Sequence, residues 1–523
     1  MKWNIQDPGA QVMRHTFTRF GKRLRMQKWL DSANGDLIST DLTVNIKKLH
    51  TVFCDAPDLI TTKFIINQTN HSALLVYLDG MVDKTTINND ILRPLLFENR
   101  SFTGITSLDL YVGSSEAVQY WRIIEQSILR GQSALFVEGE DHCLLLNTQG
   151  WPQRDISEPL SESVLKGSRQ SFVESIGQNI SMIRRYIPDK ELKIKEMQVG
   201  LRSQTKVGLL YLGDVINSEM LSVLEERIKG VSIDGIINIG ELEELIESNS
   251  FTPFPQYLTT ERPDSAASHI LQGRIVIVMD HSPWVMVGPM TLASFFQSAD
   301  DYSMRWIIAS FIRMLRFVSF FVSIFLPALY IAALTFHYEI IPLGLILSIG
   351  ESRERVPIPP FLEAIIMEIT LEMLREAGLR LPSKIGQTVG IVGGIVIGQA
   401  AVSAGIVSNI MVIVVAATAI ASFILPNADL SAAVRILRFP MMIVSYMFGI
   451  VGIVIGLMVM IVHLLSMESL GTPYGSPFAP LQITAWKDNL VRLPIWSMMK
   501  RPKSNHPKQE IRQGENGMHG DEK

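Results

Sequence analysis

The residues with the clearest capacity for chemistry lie in Phe361–Ala377, FLEAIIMEITLEMLREA. At the α-helical increment of about 100° per residue, Glu368, Glu372 and Glu376 fall in a stripe about 80° wide. Met367, Leu371 and Leu374 flank it on one side, and Ile366, Ile369 and Met373 on the other. Glu363 lies about 140° from Glu368 on the same wheel. A helix with two apolar flanks and one acidic edge fits a soluble surface poorly. It fits a bundle or ring whose acidic edge faces water. Carboxylates at membrane depth are costly and mark water-filled paths or partner charges, and rings of them attract cations. Glu368, Glu372, Glu376 and Glu363 are therefore candidate linings of a cation path. The competing reading is an interfacial helix whose glutamates pair with Arg353, Arg355, Arg375 or Arg380.

Small residues mark a second pattern. Gly386, Gly390, Gly394 and Gly398 recur every four residues, and Gly449, Gly452 and Gly456 form a similar row. On a helix this is a ridge without side chains, so another backbone can approach closely. The spacing leaves open whether the approaching helix belongs to the same chain.

These helices need a membrane or a large apolar core to hold them. The chain has 523 residues and a formal net charge of −4, which argues against a general nucleic-acid binder. Its mean hydropathy of +0.23 averages a polar first half and an apolar second half. Stretches without Asp, Glu, Lys or Arg run over Phe317–Tyr338, Ile385–Ala428 and Phe439–Met467. The middle one is long enough for two spans joined by a tight turn near Ser403–Ser408, since a span takes about 20 residues. Pro327 inside the first span is tolerable if a neighbouring helix satisfies the carbonyl it frees. Ile340–Ile349 is apolar but too short to cross alone. This predicts an all-α integral membrane bundle of four spans, rising to six. Basic residues precede the first span (Arg305, Arg313, Arg316) and follow the last (Lys487, Arg492, Lys500, Arg501, Lys503), which places both termini in the cytosol. Arg435 and Arg438 fit a four-span map poorly, because that map puts their loop outside.

The first half alternates apolar runs with helix-period stretches, predicting a cytosolic α/β or α+β region of two subdomains. Strands are expected at Ser72–Leu78, Ser133–Val137, Cys143–Asn147, Leu192–Val199, Lys206–Leu212 and Ile233–Ile239. Helices are expected at Thr85–Phe97, Ser115–Leu129, Phe172–Tyr186, Asn217–Ile228 and Leu242–Ile246. The predicted organisation is a basic arm (1–45), which includes a candidate lipid-surface helix, two subdomains (46–165 and 166–300), a transmembrane domain (301–470) and a cytosolic tail (471–523). Cys54 and Cys143 exclude a cysteine zinc site or disulfide scaffold. No nucleotide, hydrolase, kinase or metalloprotease motif is present. Asp141-His142 and Asp280-His281-Ser282 lack partners at a recognisable spacing. The expectation is a non-enzyme without cofactor or metal.

Ordered motifs then carry a resemblance. They run from Pro253-Phe254-Pro255-Gln256 and Thr260-Glu261-Arg262-Pro263-Asp264 through Asp300-Asp301-Tyr302, Pro327–Tyr330 and Ser352–Pro357. They continue through Glu372–Ala377, Arg380–Pro382, Ile391–Ala401, Pro473-Tyr474, Lys487-Asp488 and Arg501-Pro502. In these residues the chain resembles the A subunit of bacterial spore germination (GerA-type) nutrient receptors. The resemblance implies a subunit in the spore inner membrane, partnered by a transporter-like, nutrient-holding B-type subunit and a C-type lipoprotein. It also implies a homo-oligomeric ring that releases monovalent cations when nutrient binds. A secondary transporter, a non-conducting scaffold or signalling subunit and a membrane enzyme are the alternatives.

Overall fold

The computed structural model describes residues 36–67, 70–97, 110, 112, 114–150, 162, 166–381, 393, 394, 396–482 and 486–512. The basic arm, Gly386, Gly390 and the end of the tail lie outside the described residues. The first α/β unit holds α1 (Leu42–Val52), β1 (Leu59–Ile65), β2 (Ser72–Leu78), a helical stretch at 84–97, β3 (Ser115–Val118), α2 (Trp121–Leu129), β4 (Ser133–Val137) and β5 (Cys143–Leu146). Its sheet has the order β1-β2-β4-β5-β3 and is antiparallel throughout. Alternation along the strands decides which face each residue covers. Leu74, Val76 and Leu78 pack under α1 and α2, and Ala73 and Leu75 pack under 84–97.

The second unit repeats this plan. It contains α3 (Ile176–Tyr186), β6 (Leu192–Val199), β7 (Thr205–Leu212), α4 (Ser218–Lys229), α5 (Ile239–Ile246), β8 (Leu258–Thr260), α6 (Pro263–Leu271), β9 (Ile275–Met279) and β10 (Val285–Gly288). The sheet order β6-β7-β9-β10-β8 reproduces that of the first sheet strand for strand. Arg184, 1% exposed, grips Asp58 with two hydrogen bonds (2.5 and 2.8 Å) and locks the units together. Two expectations need correction. Ser115–Leu129 is not one helix, because Ser115–Val118 pairs as an edge strand with Cys143–Leu146 before α2 begins. Ile233–Ile239 is not a strand, because the carbonyls of Ile233 and Asp234 accept N–H groups from the loop at Leu201–Ser203 rather than from a sheet neighbour.

The second half is helical: α7 (Trp306–Thr335), α8 (Leu343–Arg353), α9 (Pro360–Arg380), residues 396–403, α10 (Asn409–Ile424) and α11 (Ala428–Ser466). Two of these, α7 and α11, are long and apolar enough to cross a membrane. Yet α11 is not straight. Gly449 has φ 61° and ψ −139°, a conformation reserved for glycine. Beyond it, a Cβ on Gly452 would collide with the Val444 carbonyl, and one on Gly456 would lie 2.5 Å from Met441 Sδ. In a continuous helix residues 441 and 456 would stand about 22 Å apart. The chain therefore reverses at Gly449 into a hairpin of two arms, 428–448 and 450–466.

Side-chain contacts order the segments along α7. Its foot carries Arg313 and Arg316 on Asp301, and its tip, Phe336, meets Gly449. Tyr330, near the tip, faces Ser408, which is bonded to Glu363, while Arg438 joins Ser323, lower down α7, to Glu368. So α9 runs back toward the foot. After a turn at Gly405 (φ 67°), α10 descends from Ser408 to the 425–427 loop. The first hairpin arm climbs from Asp429, bonded to Thr259 of β8, and the second returns to His463, bonded to Thr252. One apolar core runs unbroken from the second sheet (Leu210, Val276, Val285) through Phe295 and Phe296 to Phe320, Ile324 and Met441.

Candidate functional site, a charged seam between helices

Pro327 sets the chemistry at the centre of the helical region. Proline has no N–H, so the carbonyl four residues earlier, that of Ser323, loses its helical partner. Arg438 from the hairpin fills the vacancy: its Nε donates to Ser323 O at 2.9 Å and its Nη2 to Ser323 Oγ at 3.0 Å. Its remaining nitrogen, Nη1, is ion-paired with Glu368 of α9. One buried guanidinium thus ties three helices together. A buried pair of this kind is held by its extra hydrogen bonds as much as by Coulomb attraction.

The other glutamates follow the same logic with less burial. Glu363 is buried, pairs with Arg353 at 3.1 Å and accepts the Ser408 N–H at 2.9 Å, just before α10 begins. Glu372 meets Arg435 at 3.2 Å with its side chain 48% exposed. Glu376 meets Arg380 at 2.6 Å, one turn on, with its side chain 59% exposed. The structure therefore splits the candidate residues into two buried clamps and two half-open carboxylates. Arg353 and Arg380 were foreseen as partners. Arg435 and Arg438 were not, because they come from a helix 60 to 70 residues away. Arg375 instead stacks its guanidinium 5.5 Å from the Phe423 ring centre.

The glycine rows also separate. Gly449, Gly452 and Gly456 build the turn and the close face of the hairpin within this chain. A Cβ on Gly394 would meet nothing within 4 Å, and one on Gly398 only Val412 at 3.7 Å. No backbone of the same chain, among the described residues, approaches that face.

A second charged node roots α7. Asp301 is buried and accepts from Arg313 (2.9 and 3.1 Å) and Arg316 (2.9 and 3.0 Å). Arg313 also reaches the Asp488 carbonyl, and both Asp488 carboxylate oxygens accept from Tyr302 Oη at 3.0 Å. Burial raises the Asp488 carboxyl, with Arg313 opposing it, and raises the Tyr302 phenol. Two motifs 186 residues apart, Asp300-Asp301-Tyr302 and Lys487-Asp488, thus meet at the base of one helix. Nearby, Arg274 Nη1 lies 2.8 Å from His269 Nδ1, and Arg274 Nη2 donates to Ser294 at 2.8 Å. Burial, with Arg274 adding to it, holds the His269 imidazole well below its usual value. Burial also brings Arg274 down to about 10.

Of the remaining motif residues, Pro253–Gln256 meet the end of the hairpin, whereas Glu261, Arg262 and Asp264 make their contacts within the second unit. Phe254, between Pro253 and Pro255, is buried with its ring centre 6.3 Å from that of His463, and the Gln256 carbonyl accepts from Ser469 at 2.9 Å. The Glu261 carbonyl accepts the Phe172 N–H at 2.8 Å, and Arg262 pairs with Asp264 at 2.6 Å. Asp141 and His142 pair with each other at 2.5 Å on the surface, and Asp280-His281-Ser282 forms no relay among the described residues. Asp280 accepts the N–H of Ile176, and Ser282 bonds within its own turn to Trp284.

The chain is 40% identical to spore germination protein KA of Bacillus subtilis over 91% of its own length and 89% of that relative's. It is 41% identical to spore germination protein A1 of the same organism, over 73% and 80% of the two chains. It is 38% identical to spore germination protein GerQA of Bacillus cereus, over 87% and 91%. Among solved structures, the N-terminal domain of the A subunit of the Bacillus megaterium spore germinant receptor GerK3 aligns at 27% identity and a TM-score of 0.38, covering 49% of this chain and 97% of that one. The profile described as Bacillus/Clostridium GerA spore germination protein matches residues 47–504, and the chain belongs to that family.

Proposed function

We propose that this chain is the A-type subunit of a spore germinant receptor and forms an oligomeric, nutrient-gated cation channel in the spore inner membrane. It acts with a B-type, nutrient-holding subunit and a C-type lipoprotein, and passes monovalent cations when nutrient binds. The α/β units couple the partners to the helices, and no catalysis is involved. Six segments cross the bilayer in this reading: α7, α9, the segment around 396–403, α10 and the two arms of α11. Both termini then lie in the cytosol. Arg435 and Arg438 cease to be anomalous, because the 425–427 loop stands on the cytosolic side.

The observation that carries the channel reading is the half-open pair Glu372 and Glu376 on α9. Carboxylates left partly exposed on a helix at membrane depth favour a water-filled, cation-attracting surface. The test is nutrient-triggered flux through the reconstituted receptor. Potassium flux that greatly exceeds chloride flux, and that falls when both glutamates become glutamine, supports the reading. Equal anion flux contradicts it. A non-conducting scaffold is the second reading, favoured by the arginine that faces each of the four glutamates. It predicts an assembled receptor with no flux of its own.

A further inference from the structure

A cavity of about 710 Å³ lies where the second α/β unit, the foot of α7 and the 425–427 loop converge. Its wall is mostly polar and includes Arg262, Asp264, Ser268, Gln272, Ser294 and Arg316. Arg262 is the unusual member. Its side chain is 2% exposed, and Nη2 is engaged on Asp264 at 2.6 Å. Among the described residues, Nε and Nη1 are buried without a hydrogen-bond partner. Leaving such donors idle is costly, more so on a charged group, so a protein retains them where something else completes them.

The chemistry of that completing group follows from the donors. A guanidinium offers a planar fork of N–H groups that matches the two oxygens of a carboxylate or phosphate. Arg262 is also the residue before α6, whose N-terminus contributes partial positive charge, although Asp264 offsets some of it. Glu162 faces the same space, hydrogen-bonded to Thr260 at 2.8 Å, and burial raises its carboxyl to about 7, which limits the negative charge around Arg262. Serine hydroxyls at 265, 268 and 294 supply further donors at the wall.

We propose that this cavity binds a small oxyanion, a carboxylate or phosphate, on the idle nitrogens of Arg262. The site lies between the second α/β unit and the helices, so its occupant bears on both. The same oxyanion chemistry could reach it as a free anion or as a lipid headgroup, because the α10–α11 loop forms part of the wall. The inference does not rest on the channel reading.

The test is thermal unfolding of the full-length chain in neutral detergent. Sodium acetate, sodium phosphate and sodium chloride are compared at equal ionic strength, with short-chain phosphatidylglycerol as a fourth condition. A ligand bound only by the folded state raises Tm by mass action. Acetate or phosphate should raise Tm by a few degrees over chloride, and Arg262→Gln should abolish that increment. Ser268→Trp fills the cavity without altering the guanidinium and should abolish it too, which covers the case in which Arg262→Gln fails to fold. A rise with phosphatidylglycerol alone, lost in Ser268→Trp, supports the site with a headgroup as its source. Equal increments in the wild type and in Ser268→Trp, or no increment with any probe, would overturn the proposal.

Discussion

Arg438 has three tasks at once: it repairs the helix at Pro327, neutralises Glu368 and fixes the hairpin against α7 and α9. Removing it leaves a buried carboxylate and an orphaned carbonyl. Breaking one partner of a buried pair costs about 3–5 kcal/mol, whereas replacing both by apolar residues is often neutral. Arg438→Met should therefore sharply lower the folded fraction in detergent. Arg438→Met combined with Glu368→Met should recover much of it. If the double variant is as unstable as the sum of the singles, the pair is not coupled. Asp301 sits in an analogous position beneath Arg313 and Arg316. Asp301→Asn should lower Tm by an amount comparable to that of Arg438→Met, while a surface-like change below about 0.5 kcal/mol would remove the node from the account.

At the scale of elements, the deciding feature is the break at Gly449. It converts one 39-residue apolar helix into two arms and fixes which end of each faces the α/β units. A cysteine pair at 441 and 456, in a chain with Cys54 and Cys143 replaced by serine, should form a disulfide readily. Failure to cross-link would favour a continuous helix. Much of this level was legible in the sequence. The strand at Ser72–Leu78 has its expected ends, and the helix expected at Asn217–Ile228 is α4, with Asn217 as its N-cap. The tight turn expected near Ser403–Ser408 sits at Gly405, and Pro327 was expected to need an outside donor. The illegible parts share a cause. Edge strand β3 is four residues long, too short for a period to register. The partners Arg435 and Arg438 depend on how the first arm of α11 packs against α9, a tertiary contact that no local period announces. Likewise, nothing local to Asp301 or Asp488 announces that they share Arg313.

The whole molecule is a pair of repeated α/β units, the second of which is continuous in its core with a helical bundle. Movement in that second unit must be felt in the bundle, because Phe295, Phe296, Phe320 and Met441 belong to the same packed cluster. The face at Gly394 has no partner backbone within the chain, among the described residues. Gly394→Leu should therefore leave the stability of the isolated chain nearly unchanged yet reduce recovery of the assembled receptor in a pull-down. Full assembly would mean that this face makes no subunit contact. In the proposed channel the half-open carboxylates of α9 serve the cation path. The most direct measurement is nutrient-triggered potassium release from spores carrying Glu372→Gln with Glu376→Gln, with the levels of all receptor subunits followed in parallel. Release should fall clearly while every subunit persists; unchanged release at normal subunit levels would contradict a cation path along these carboxylates.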